Sequence, residues 1–148
     1  MVRPENPISR FATRVHGLSN DDVTACPVFE DVSAQVMAAL DADAVVAHHA
    51  QVDLAVLRRK LAGWVVPEVF DTLALARRLM PDLERYRLGD LAAALGLAGG
   101  LSGGLVPHRA TYDALVAARL FVRLAAAEAG SVEVLRGGRS EEEVQTLF

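Results

Sequence analysis

A chain of 148 residues with 52% hydrophobic content, mean hydropathy +0.26 and a formal net charge of −4 has the size of one domain and lies far from the disordered range. The acidic balance excludes a global electrostatic attraction to nucleic acid, so any contact with a phosphate backbone must be local. One cysteine, Cys26, excludes an internal disulfide and a multi-cysteine zinc site. No apolar run approaches the ~20 residues that span a bilayer, the N-terminus shows no apolar signal region, and a reduced cytoplasmic setting fits.

Residues 1–14 carry Pro4, Pro7 and few apolar positions, which predicts an extended lead-in rather than a helix. Ser19-Asn20-Asp21-Asp22 clusters N-cap residue types and predicts a short helical turn. Val32, Val36, Met37, Ala39 and Leu40 then recur at helical spacing and predict one buried stripe. Asp41-Ala42-Asp43 breaks that helix, and Ala44-Val45-Val46-Ala47 between breakers predicts a short buried strand. A helix over residues 52–59 follows, with Val52, Leu54, Ala55 and Leu57 available to pack. Residues 67–72 predict a second short strand ending in a helix cap, and residues 73–80 a helix that stops at Pro81. Residues 87–97 read as a compact helix closed by glycine. Gly99, Gly100, Gly103 and Gly104 predict a mobile loop ahead of Pro107, and residues 110–129 a long alanine-rich helix. The domain is expected over residues 1–129, with a charged tail over 130–148 set apart by Arg136-Gly137-Gly138-Arg139. Short apolar strands alternating with helices predict an α/β fold rather than a bundle.

Two places can carry chemistry. In Ala47-His48-His49-Ala50-Gln51-Val52-Asp53 a strand ends and a carboxylate enters the next helix, a position well placed to line a crevice at the C-terminal edge of a sheet. Asp53 read by itself is a helix-start carboxylate favoured by the macrodipole. In His108-Arg109-Ala110-Thr111-Tyr112-Asp113 a histidine stands five residues ahead of an aspartate, after the glycine-rich loop. A loop histidine is a plausible general base because its pKa lies near working pH; the plainer reading is a solvated histidine and an N-terminal helix aspartate. His48-His49 lacks a third nitrogen or sulfur ligand for zinc. Trp64 reads as a partly buried anchor, and Arg58-Arg59-Lys60 and Arg77-Arg78 as solvated faces.

Together the two segments resemble the DEDDh exonucleases, the family of the proofreading subunit of the bacterial replicative polymerase. That family reads roughly His-Asn-x-x-Phe-Asp after a strand and His-x-x-x-x-Asp on its last helix. The segments between resemble it too: Asn6-Pro7-Ile8, Val15-His16-Gly17-Leu18-Ser19 with Asp22-Val23, Val69-Phe70-Asp71-Thr72-Leu73 with Ala76-Arg77, and Arg87-Leu88-Gly89-Asp90-Leu91. The likeness runs over roughly residues 2 to 127. His49 stands where the family has Asn, and Val52 where it has Phe.

The resemblance implies an RNase H-like α/β fold and phosphodiester hydrolysis at nucleic-acid 3′ ends by two Mg²⁺ or Mn²⁺ ions about 4 Å apart, held by hard oxygen ligands. Carried onto matching positions, Asp53 and Asp113 are the implied metal ligands and His108 the general base. His48, His49, His16 and Arg109 are the candidate substrate contacts. The family's first motif, Asp-x-Glu on its opening strand, is expected to lie before the point where this chain begins, together with the central strands. Asp41-Ala42-Asp43 has the spacing but ends in Asp and precedes the wrong strand. The expectation is therefore an exonuclease-family domain, truncated and impaired as written, acting on single-stranded 3′ ends. A polymerase or a second copy covering the sheet is the partner class. The alternatives are an inactive relic that binds nucleic acid or protein, and a plain helical interaction protein.

Overall fold

Ala44–Ala47 form strand β1 and Glu68–Asp71 form strand β2, paired in parallel with Val45 opposite Val69 and Ala47 opposite Asp71. The computed structural model describes residues 1–101, 104–127 and 135–136. Ahead of β1 come α1 (Arg10–His16), α2 (Asn20–Val23) and α3 (Phe29–Ala39). Helix α4 (Ala50–Lys60) makes the crossover between the strands, and α5 (Thr72–Leu79), α6 (Leu88–Ala94) and α7 (Ala110–Ala127) follow β2. The architecture is α/β, with two parallel strands and helices packed on them, as the alternating pattern predicts.

Each helix end has a local cause. Ser9 accepts from the Ala12 N–H at 3.2 Å to open α1, and Gly17 at φ 71° closes it by donating to the Thr13 carbonyl. These caps overturn the extended reading of residues 1–14: only the stretch before Ser9 is extended, because the two prolines lie outside the helix. Ser19 and Asp22 form a reciprocal capping box on α2. After α6, Gly96 at φ 65° and the bonds from Leu97 to the Ala92 carbonyl (2.9 Å) and from Gly96 to the Ala93 carbonyl (3.4 Å) make a Schellman closure.

The core lies on one face of the strand pair. Leu91, Val116, Leu120 and Leu124 are its largest fully buried side chains. Ala44 and Val46 of β1 join this cluster with Phe70 of β2. Period-two alternation therefore turns Val45 and Ala47 to the other face. Phe70 and Phe121 meet at 5.1 Å between ring centroids and a 40° tilt. Helix α4 contacts both strands through a separate apolar patch that includes Ala50 and Leu54.

Two packing expectations need correction. The α3 stripe is only half-buried at Val32, Val36 and Leu40, and Met37 and Ala39 are exposed. On α4, Leu54 is buried but Val52 and Ala55 face solvent. Helical spacing identifies a face, whereas burial depends on what covers that face. Of the 130–148 segment only Leu135 and Arg136 lie within the described residues. Leu135 is buried in the core cluster, and Arg136 forks onto Glu68 with contacts of 2.6 and 2.7 Å.

Candidate functional site

The C-terminal ends of the two strands meet at a junction built by β2 for β1. Asp71, the last residue of β2, accepts from the N–H groups of His49 (2.9 Å) and Ala50 (3.1 Å) while also capping α5 through Leu73 N–H at 2.9 Å. One carboxylate thus satisfies orphan donors at the starts of two helices. Thr72, fully buried beside it, places its hydroxyl 3.2 Å from the Ala47 carbonyl and 3.0 Å from His48 Nδ1. The other ring nitrogen of His48, Nε2, lies 2.9 Å from the Tyr86 carbonyl. A carbonyl only accepts, so Nε2 carries the proton, and beside the neutral ring the single Thr72 hydroxyl proton is shared between the Ala47 carbonyl and His48 Nδ1. Burial holds the His48 pKa below the ordinary value of 6.5, against an upward pull from the Tyr86 carbonyl and Asp71. Both ring nitrogens of this candidate substrate contact are engaged within the domain.

Among the described residues two that are not glycine adopt positive φ: His49 at 65° and His108 at 64°. His49 caps the start of α4, which carries Asp53 in its first turn; His108 precedes α7, which carries Asp113 in its first turn. A left-handed backbone costs an L-residue about 1–2 kcal/mol, with Asn, Asp and His the side chains that tolerate it best. Each turn is fixed by an aspartate: His49 N–H by Asp71, and His108 N–H by Asp113 Oδ1 at 3.2 Å. Asp113 N–H in turn donates to the Arg109 carbonyl at 2.9 Å. A carboxylate has about four lone-pair sites, so this single bond leaves Asp113 with acceptor capacity. Asp53 and the side chains of His49 and His108 are exposed.

Helices α4 and α7 both contact β1. The Arg109 guanidinium lies 4.0 Å from where a Cβ on Gly17 would stand and helps to lower the pKa of Asp22, itself held down chiefly by its bonds to Ser19. His16 Nδ1 accepts from Leu18 N–H at 3.1 Å. Arg119 of α7 donates to the carbonyls of Leu97 (2.8 Å) and Gly99 (2.7 Å), which ties the first part of the glycine-rich loop to that helix.

Asp53 and Asp113 have the oxygen chemistry a divalent ion requires. Among the described residues, however, no three His, Cys, Asp or Glu side chains gather into a metal-binding group, so this pair alone does not fit a two-ion centre. An Asp-x-Glu triplet does occur, at Asp82-Leu83-Glu84, but both acids are exposed in the turn after α5 rather than on a strand. A cavity of about 530 Å³ lined by Met37, Asp41, Asp43 and Trp64 lies at the opposite, N-terminal ends of the strands and contains no candidate residue.

The profile of the exonuclease (RNase T) family matches residues 1–121. This chain belongs to the exonuclease family. It is 32% identical over 126 residues to the PolC-type DNA polymerase III of Caldanaerobacter subterraneus subsp. tengcongensis, covering 83% of this chain and 9% of the relative. It is 34% identical over 127 residues to the 3′–5′ exonuclease DinG of Bacillus subtilis, covering 83% of this chain and 13% of the relative. The chain therefore spans about a tenth of the length of these relatives. A solved structure of exonuclease X with 5′-overhanging duplex DNA superimposes with a TM-score of 0.73 at 31% identity, covering 90% of this chain and 75% of the other. No helix among the described residues is long and apolar enough to cross a membrane.

What sequence reasoning missed is Asp71. Its place ahead of an apolar helical run marks a cap, but nothing in the sequence indicates that the same carboxylate closes the turn before Asp53.

Proposed function

We propose that this exonuclease-family chain contributes to 3′–5′ hydrolysis of nucleic acid, with Asp53 and Asp113 as metal-binding carboxylates and His108 as the general base. The observation that carries the proposal is the pair of left-handed histidines, His49 four residues ahead of Asp53 and His108 five residues ahead of Asp113, each at the entry to a helix that contacts β1 and carries that aspartate in its first turn. Strained backbone kept at both motif positions is a mark of a functional site. His108 is exposed on its turn, which leaves it open to take a proton from an attacking water as the P–O3′ bond breaks. Mg²⁺ or Mn²⁺ would supply charge neutralisation at the phosphate only where further carboxylates complete the donor set. Relatives named as a DNA polymerase and a 3′–5′ exonuclease, and a neighbour bound to 5′-overhanging duplex DNA, support nucleic-acid 3′ ends as substrate and a polymerase as partner.

The incomplete donor set supports an impaired activity in the chain by itself. Residues 1–148 with Mg²⁺ should degrade 5′-labelled single-stranded DNA little or not at all. Supplying a strand that bears Asp-x-Glu, in cis or in trans, should produce cleavage from the 3′ end that Asp113→Ala abolishes. Degradation by the chain alone, lost in Asp113→Ala, would refute the impairment. A complemented protein that binds DNA but never cleaves it would favour the second reading, an inactive nucleic-acid-binding relic.

A further inference from the structure

Helix α1 is turned inside out. Its small side chains, Ala12 and Thr13, are half-buried with His16, while Phe11 and Val15 stand 71% and 45% exposed. Positions four apart share a helix face, so Phe11 and Val15 lie side by side and are flanked by the exposed pair Arg10 and Arg14. Neither arginine makes an ion pair among the described residues, and residues 8–18 contain no acid. The helix is held firmly: Ser9 and Gly17 cap it, and Asn20 clamps the preceding Ile8 by accepting its N–H at 2.7 Å and donating to its carbonyl at 3.3 Å. Its C-terminal end abuts Arg109, the neighbour of His108.

We infer that this face of α1 is a contact for single-stranded nucleic acid, with Arg10 and Arg14 on phosphates and Phe11 stacked on a base, leading by way of Arg109 towards the candidate site. The inference rests on the proposed function. The occupant follows from charge and shape. In a chain of net charge −4, an acid-free basic helix with an outward aromatic fits a polyanion whose bases offer flat faces. A protein core would seek the apolar pair but would leave two arginines unmatched.

The test is fluorescence anisotropy of the full chain with labelled oligo-dT in EDTA, where no cleavage occurs. Arg10→Ala/Arg14→Ala should weaken binding at low salt and flatten the log–log salt slope by roughly 1.4, about 0.7 for each lost phosphate contact. Phe11→Ala should weaken binding by roughly 5- to 150-fold, the fold-change equivalent of one lost stacking contact, with the slope unchanged, and Phe11→Trp should restore it. All three positions are at the surface, so a retained circular dichroism spectrum is the folding control. If the native chain binds and these variants bind as well, the inference fails while the exonuclease reading stands. If the native chain binds no oligonucleotide, both fail. Loss of binding to phosphatidylserine vesicles with unchanged oligonucleotide affinity would assign the face to a lipid surface and also overturn the inference.

Discussion

Replacing Asp71 by alanine removes acceptors from three backbone donors at once: His49 and Ala50 at the start of α4 and Leu73 at the start of α5. Loss of the α5 cap should cost about 1 kcal/mol. Each of the two contacts to α4 should add about 0.5–1.5 kcal/mol, towards the lower end because the half-buried site admits water as a substitute. The expected total is about 2–3 kcal/mol, a large share of the 5–15 kcal/mol that ordinarily holds a domain together. Urea unfolding followed by circular dichroism measures it. Asp71→Asn, which keeps one acceptor oxygen, should cost about half as much. Amide exchange distinguishes a local from a global effect: His49 and Ala50 should lose protection by more than the global change accounts for, because the left-handed turn loses its anchor. An alanine variant within 0.5 kcal/mol of the native chain would show that Asp71 does not hold the junction.

His48 should make stability depend on pH. Its folded pKa is lowered by burial, so the unfolded chain binds more protons at mildly acid pH. The contribution is present above 6.5 and is lost as pH falls through the depressed value. Urea midpoints of the native chain should therefore drop more than those of His48→Gln between pH 7.5 and 5. Leu124→Ala, at a fully buried core position, should cost about 2–5 kcal/mol on thermal or urea unfolding. Glu68 is held below the usual carboxylate range by its fork to Arg136. Its contribution is present above the unfolded value of 4.5 and fades as pH falls below it, so Glu68→Gln should flatten the acid limb with an effect of no more than about 1 kcal/mol at neutral pH.

The elements legible in the sequence are those whose signals are local. β1 is bracketed by Asp43 and His48, and α7 announces itself by eighteen residues of helix-forming composition. Gly96 ends α6 by a conformation glycine adopts cheaply. Helix α1 was not legible, because Pro4 and Pro7 dominate a count over residues 1–14 while the decisive signals, Ser9 and Gly17, bracket only seven residues. Burial was legible least of all. The spacing of Val32, Val36 and Met37 is that of a stripe whether or not anything covers it, and here it is half-covered.

For the site, residue identity and order could be read directly, but geometry could not. His48-His49 looks like one polar pair in the sequence. In the fold the two part company: His48 turns inward to Thr72 and Tyr86, and His49 takes the left-handed turn with its side chain outside. The separation explains why a histidine is tolerated where the resembling family carries asparagine. The position demands a side chain that accepts positive φ, which His does better than most, while its ring is not asked to bond anything in the junction. His108 occupies the same conformation at the second motif. The shared requirement at both motifs is thus a backbone one: a left-handed residue, pinned by an aspartate, that starts the helix carrying the next candidate carboxylate. Because that requirement falls on φ and on an N–H rather than on a side chain, substituting His49 by glycine should preserve the junction, and substituting it by valine, for which positive φ is strained, should not.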